Sequence, residues 1–133
     1  MIDIFSVNQS LEGSLALNLN EGCLHIDNDT QLSTIDGLTT TQRCDLQTLK
    51  DQIAQTIPDD FGYVITLDGE EPSFELEFQD GYIAASGFSL EFSSNEEFQA
   101  QLQHADWDAI RGDALESIQG IEAMIAAGKK GAL

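Results

Sequence analysis

Phe74-Glu75-Leu76-Glu77-Phe78 alternates apolar and charged residues with a period of two, and Asp80-Gly81 follows it at once. Period two marks a strand with one face buried and one face wet. Asp-Gly is the strongest short-range hairpin signal, because both central residues of that tight turn want φ > 0. Together they commit the chain to an antiparallel sheet. A return strand is expected from Tyr82, interrupted at Gly87 and resuming through Phe88-Ser89-Leu90-Glu91-Phe92. A glycine inside a strand pattern predicts a bulge or a bend. Upstream, Phe61 to Leu67 is rich in Val, Ile, Tyr and Thr and predicts a further strand, followed by an acidic turn over Asp68-Gly69-Glu70-Glu71-Pro72.

Helical spacing flanks this β region. Thr39-Thr40-Thr41 offers an N-cap, after which Leu46, Leu49, Ile53 and Ile57 recur at steps of 3, 4 and 4 until Pro58 ends the pattern. The opposite face carries Asp45, Gln47, Lys50, Asp51 and Gln52. Ser94-Asn95-Glu96-Glu97 fits a capping box ahead of Phe98 and Leu102. Trp107, Ile110, Ala114, Ile118, Ile121 and Ile125 then recur at steps of 3, 4, 4, 3 and 4. Gly128 is expected to terminate that helix, with Lys129-Lys130 complementing its negative end. Trp107 is expected as a core anchor.

The N-terminal third is less regular. Met1 to Leu11 fits a strand or a short helix. Leu15-Ala16-Leu17-Asn18-Leu19 alternates as a half-buried strand should, and Asn20-Glu21-Gly22 reads as a turn. Cys23 to Asp27 reads as a second strand with Leu24 and Ile26 on one face. Asn28-Asp29 turns the chain, and Gln31 to Ile35 is expected as a short third strand. With 133 residues, one domain is expected: α+β, an antiparallel sheet with helices packed on one face and a long amphipathic C-terminal helix.

The chain carries 24 acidic residues against 5 Lys+Arg, a formal charge of −19. Phosphate binding needs cations that displace counterions, so no direct nucleic-acid binding is expected, and none to anionic membranes. No stretch approaches the apolar length of a membrane span. The start, Met1-Ile2-Asp3-Ile4-Phe5, has an acid where a signal peptide is basic, so a cytoplasmic protein is expected. There Cys23 and Cys44 are expected as free thiols. Cys23, Cys44, His25 and His104 have no zinc-site spacing. Asp27-Asn28-Asp29 fails as a calcium loop, since Leu32 and Leu38 stand where glycine and glutamate are needed. No phosphate-cradling glycine loop and no nucleophile motif occurs, so the expectation is no enzyme, no metal and no cofactor.

The charge is regional. From Asp51 to Ile110 there are fourteen Asp/Glu and no Lys or Arg. Glu75, Glu77 and Glu91 alternate with apolar neighbours and share one sheet face if their strands pair. Like charges across strands cost tenths of a kcal/mol each. One explanation is solubility. The other is a basic protein partner, met by Glu75, Glu77, Asp80 and Glu91.

The run Leu15-Ala16-Leu17-Asn18-Leu19-Asn20-Glu21-Gly22-Cys23-Leu24-His25-Ile26-Asp27, with Tyr63 to Asp68, Phe74 to Gln79 and the helical Phe98 to Ile125, resembles a class I type III secretion chaperone. The resemblance rests on element order, size and acidity, with an extra strand at Tyr82 to Phe92. It implies a non-enzymatic protein that holds an effector's N-terminal segment over apolar patches of a homodimer. It also implies a dimer contact through the middle helix, here Leu46, Leu49 and Ile53. The competing class is an immunity protein or toxin inhibitor, small and acidic, that blocks a basic toxin site, a nuclease site by DNA mimicry included.

Overall fold

The chain enters the fold as helix. In α1 (Ile4–Ser10) the Asp3 carboxylate accepts from the amides of Phe5 and Ser6, and Ile4 and Val7 turn inward. The computed structural model describes the backbone of residues 2–80 and 83–131, and their side chains outside 79–87 and 121–131.

Leu15–Leu19 (α2) is helical too, which corrects the strand expected there. Ser14 Oγ accepts from the Ala16 amide at 3.3 Å, and Asn18 N and Asn20 N donate to Ser14 O and Ala16 O. Alternating leucines over five residues also fit a helix, and the cap decides. Only Ala16 and Leu17 are buried, while Leu15 and Leu19 stand 59% and 57% exposed one turn apart. Glu21 (φ 59°) and Gly22 (φ 92°) then reverse the chain.

The strand β1 (Leu24–Asp27) forms with Leu24 and Ile26 buried, as the pattern required. The strand expected at Gln31–Ile35 is instead a short 3-10 helix, Leu32–Thr34. Arg43 explains the difference: Nε donates to Leu32 O at 3.2 Å and Nη2 to Ile35 O at 2.8 Å, occupying carbonyls that a strand would use in a ladder.

In α3 (Thr40–Thr56) Thr39 and Gln42 exchange side-chain bonds with each other's amides at 3.1 and 2.9 Å. Leu46, Leu49 and Ile53 are 1%, 0% and 0% exposed within the single chain. The dimer contact expected on them is therefore corrected: this stripe is spent on the protomer's own core. Lys50, expected on the wet face, is only 8% exposed, and its ammonium donates to Thr30 O in the loop after β1.

The remaining strands are β2 (Phe61–Leu67), β3 (Ser73–Asp80) and β4 (Ile83–Leu90). The four strands lie in the order β1-β2-β3-β4, antiparallel throughout. Between β3 and β4 the register shifts: Leu76 faces Phe88 but Phe78 faces Ala85. Glu77 thus stands opposite two residues, Ser86 and Gly87, where a bulge was expected. Asp80 pairs with Ile83, in agreement with the hairpin, while Gly81-Tyr82 lie outside the described residues. The strand ends at Leu90 rather than at Phe92, because the Phe92 ring is drawn into aromatic contacts with Phe5 (5.8 Å) and Phe98 (4.7 Å).

Ser94 Oγ accepts from Glu97 N at the start of α4 (Asn95–His104), while the Glu97 carboxylate reaches past the cap to the Ser93 amide at 2.8 Å. Asp106 caps α5 (Trp107–Gly131) by accepting from Ala109 N. Gly128, expected to end this helix, lies inside it; one glycine costs a helix only about 1 kcal/mol. Ala114 and Ile118 are buried, and Trp107 packs half-buried on Phe61 at 5.3 Å. The side chains of Ile121, Ile125, Lys129 and Lys130 lie outside the described residues.

Among the described residues, the buried apolar side chains form one cluster. The sheet contributes Phe61, Tyr63, Ile65, Leu67, Phe74, Leu76 and Phe78 from one face. Phe74 packs between Tyr63 (5.9 Å, stacked) and Phe98 (5.2 Å, edge-on). Full burial of such a ring contributes roughly 1.5–3 kcal/mol. Among the described residues, the buried side chains of the helices pack in the cluster on this face. Among the described residues, no helix is long and apolar enough to cross a membrane.

Candidate functional site

The uncovered face of the sheet is built by strand parity. Burying Phe74, Leu76 and Phe78 turns Glu75 and Glu77 outward. Register aligns Asp27, Val64, Glu75 and Ser89 as one row across all four strands. Glu77 lies one row on, beside Gly62. Glu75 is exposed and accepts a 3.3 Å bond from Ser89 Oγ, while Glu77 is half-buried. Asp27 was not foreseen on this face, and only the register places it there. Its carboxylate is held by Thr30 Oγ1 and the Asp29 amide, both at 2.9 Å.

Glu91 is exposed just past the end of β4, and alternation puts it on the same side as Glu75 and Ser89. The Asp80 backbone closes β3, but its side chain lies outside the described residues. The turn between β2 and β3 adds charge: Asp68 Oδ1 accepts from the amides of Glu70 and Glu71 at 2.8 and 2.7 Å, leaving those two glutamates exposed.

Little positive charge answers these acids. Arg43 is turned onto backbone carbonyls, and Lys50 is buried against Thr30 O. Arg111 makes the ion pairs found among the described residues, to Asp60 at 2.6 Å and Asp108 at 2.9 Å. Its hydrogen bond holds the Asp60 carboxyl below the usual 3.8. On the inner side of the sheet, burial pushes the Tyr63 phenol up to about 12, with Asp27 and Asp51 adding negative potential.

A second cluster escaped the sequence reading. Cys23 Sγ lies 3.4 Å from His25 Nε2, and His25 Nδ1 lies 3.1 Å from Thr66 Oγ1. Cys23 and His25 are two apart beside a strand, a spacing that puts side chains on one face. Thr66 can orient the imidazole but lacks the carboxylate charge that makes histidine a strong base in a triad. Cys23 and Cys44 are free thiols, Cys23 half-buried and Cys44 exposed. Among the described residues, no group of three or more His, Cys, Asp or Glu could hold a metal ion.

No protein-family model matches the chain, and no curated protein or solved structure is significantly similar to it.

Proposed function

We propose that this chain is a non-enzymatic acidic module that binds a basic protein, and that it acts as an immunity-type inhibitor covering the basic active-site surface of a toxin. One observation carries the reading: the open sheet face presents Asp27, Glu75 and Glu77, and the three described Lys and Arg side chains are engaged elsewhere. A sheet holds carboxylates rigidly, so binding a cationic surface costs little side-chain entropy. The net charge of −19 also steers a basic partner in and raises its association rate. A nuclease, whose active site is built to receive phosphates, is the narrower form of this proposal.

The test is capture from the native host with mass spectrometry, using the wild-type chain and a Glu75→Lys/Glu77→Lys double variant. The expected result is one basic partner, retained by the wild type at low salt and lost in about 1 M salt, where the screening length falls to ~3 Å. The double variant should lose it as well. Unchanged affinity of that variant, within error, overturns the acidic-face reading.

A secretion chaperone is the second reading, favoured by the exposed pair Leu15 and Leu19, an apolar strip that an effector segment could cover. It predicts capture of an effector that survives high salt and is lost on Leu15→Ser/Leu19→Ser. The family's dimer would then need a contact other than Leu46, Leu49 and Ile53.

A further inference from the structure

At the exit of β4 the structure leaves a groove of about 460 Å³ between Leu90, Ala100, Gln101, His104, Ala105 and Ile110. Its wall is mostly apolar, with Leu90 from the sheet, Ala100 from α4 and Ile110 from α5. Gln101 is fixed along it by donating Nε2 to Glu91 O.

The rim is acidic. Glu91 follows Leu90 directly and is exposed. Asp106 and Asp113 lie four residues before and three after Ile110, spacings that bring them beside it on the helix surface. Arg111, the nearest arginine in sequence, is held by Asp60 and Asp108. An anion would be repelled by Asp106 and Asp113, and a wholly apolar segment would leave them unused. Charge and wall together fit one occupant: a peptide segment with a large apolar side chain flanked by Lys or Arg.

We propose that this groove is the anchor pocket of the partner-binding surface. It takes one apolar side chain from a basic segment of the partner, while Asp106 and Asp113 pair with the flanking cations. The inference rests on the acidic-module reading and extends it, since Glu91 joins the groove to the outer sheet face. Buried apolar anchors supply most of an interface's affinity, and rim charges supply orientation and rate.

The test titrates the ¹⁵N-labelled full chain with two short synthetic peptides, both lysine-flanked, one with a central leucine and one with serine in its place. The leucine peptide is expected to shift the amides of Leu90, Ala100, Gln101, His104 and Ile110 saturably. It should bind about tenfold tighter than the serine peptide, the low end of what burial of one leucine supplies. Ala100→Arg, at an exposed wall position, should remove that advantage, and Ala100→Ser should keep it. Equal binding of both peptides, with shifts confined to Glu75 and Glu77, overturns the groove and leaves the acidic module standing. Binding of neither peptide overturns both. Groove shifts that follow protein concentration without peptide make the occupant a second copy and also overturn the proposal.

Discussion

Arg111 grips Asp60 through two nitrogens, Nε at 2.6 Å and Nη2 at 3.1 Å, across 51 residues of sequence. The same guanidinium lies 5.5 Å from the ring of Phe61, which also receives Trp107. The first turn of α5 is thereby docked on the start of β2. Because the folded-state pKa of Asp60 is depressed, its contribution is present above 3.8 and fades as pH falls through the lower folded value. Asp60→Asn should reduce the loss of stability that sets in as pH falls below 3.8. Urea midpoints of the two proteins across that window check it. Both partners are partly exposed, so the effect near neutrality should be small.

Tyr63 gives the opposite pH window. Its folded-state pKa of about 12 exceeds the ordinary 10.0, so its stabilising contribution is complete below pH 10 and drains away as pH rises toward 12. Tyr63→Phe should unfold at higher pH than the wild type. Alkaline titration followed by circular dichroism measures this, and coincident unfolding curves would contradict it.

Two glycines predict effects of opposite sign. Gly37 has φ +88°, and a Cβ there would meet Ala16 N at 2.6 Å and Leu15 C at 2.9 Å, both backbone atoms. Gly37→Ala should destabilise by about 2 kcal/mol or more. Gly120 sits within α5 with nothing near its missing Cβ, so Gly120→Ala should stabilise by about 0.5–1 kcal/mol. Chemical denaturation of both variants checks the pair.

Leu49 is fully buried. Leu49→Ala should cost roughly 3 kcal/mol through lost transfer and a residual cavity. Leu49→Asp with Ile53→Asp should unfold the chain and not yield a folded monomer. Light scattering with circular dichroism distinguishes these; a folded, soluble double variant would mean that the stripe is not core.

Glu75 and Glu77 project from one strand face, and among the described residues no cation pairs with either. Glu77→Gln should raise the thermal midpoint slightly, by tenths of a kcal/mol in stability. If the same change weakens partner binding, the acidic face is kept for binding at the expense of stability.

The parts of the fold legible in sequence are those where a periodic run is backed by an independent signal, as Asp80-Gly81 backs Phe74–Phe78 and the Thr39 cap with Pro58 bounds the Leu46–Ile57 stripe. The alternation at Phe74–Phe78 and the stripe from Leu46 to Ile57 each state which side is buried, because several side chains must agree. At Leu15–Leu19 five residues cannot separate period two from a helical turn, and the Ser14 cap decides. The 3-10 helix at Leu32–Thr34 was hidden because its carbonyls are claimed by Arg43, eight to eleven residues away. Lys50 looked solvated because lysine usually is, and its acceptor, Thr30 O, lies twenty residues upstream. In the site, Glu75 and Glu77 were readable from alternation alone. Asp27 needed the β1–β2 register, and the groove needed the packing of α4 and α5, which no local pattern records.

The N-terminal helix reaches further across the chain than its length suggests. Ile2 N donates to Gln52, Ile4 N to Asn95 Oδ1, and the buried Asn8 accepts from Gly69 N. During synthesis the segment precedes all three of these partners, and Asn95 follows Ile4 by 91 residues. Until α3, the sheet and α4 have all followed, Ile4, Val7 and Leu11, all core residues, are covered only in part. The clasp is thus completed late, and until α4 is made α1 leaves apolar surface open to other chains.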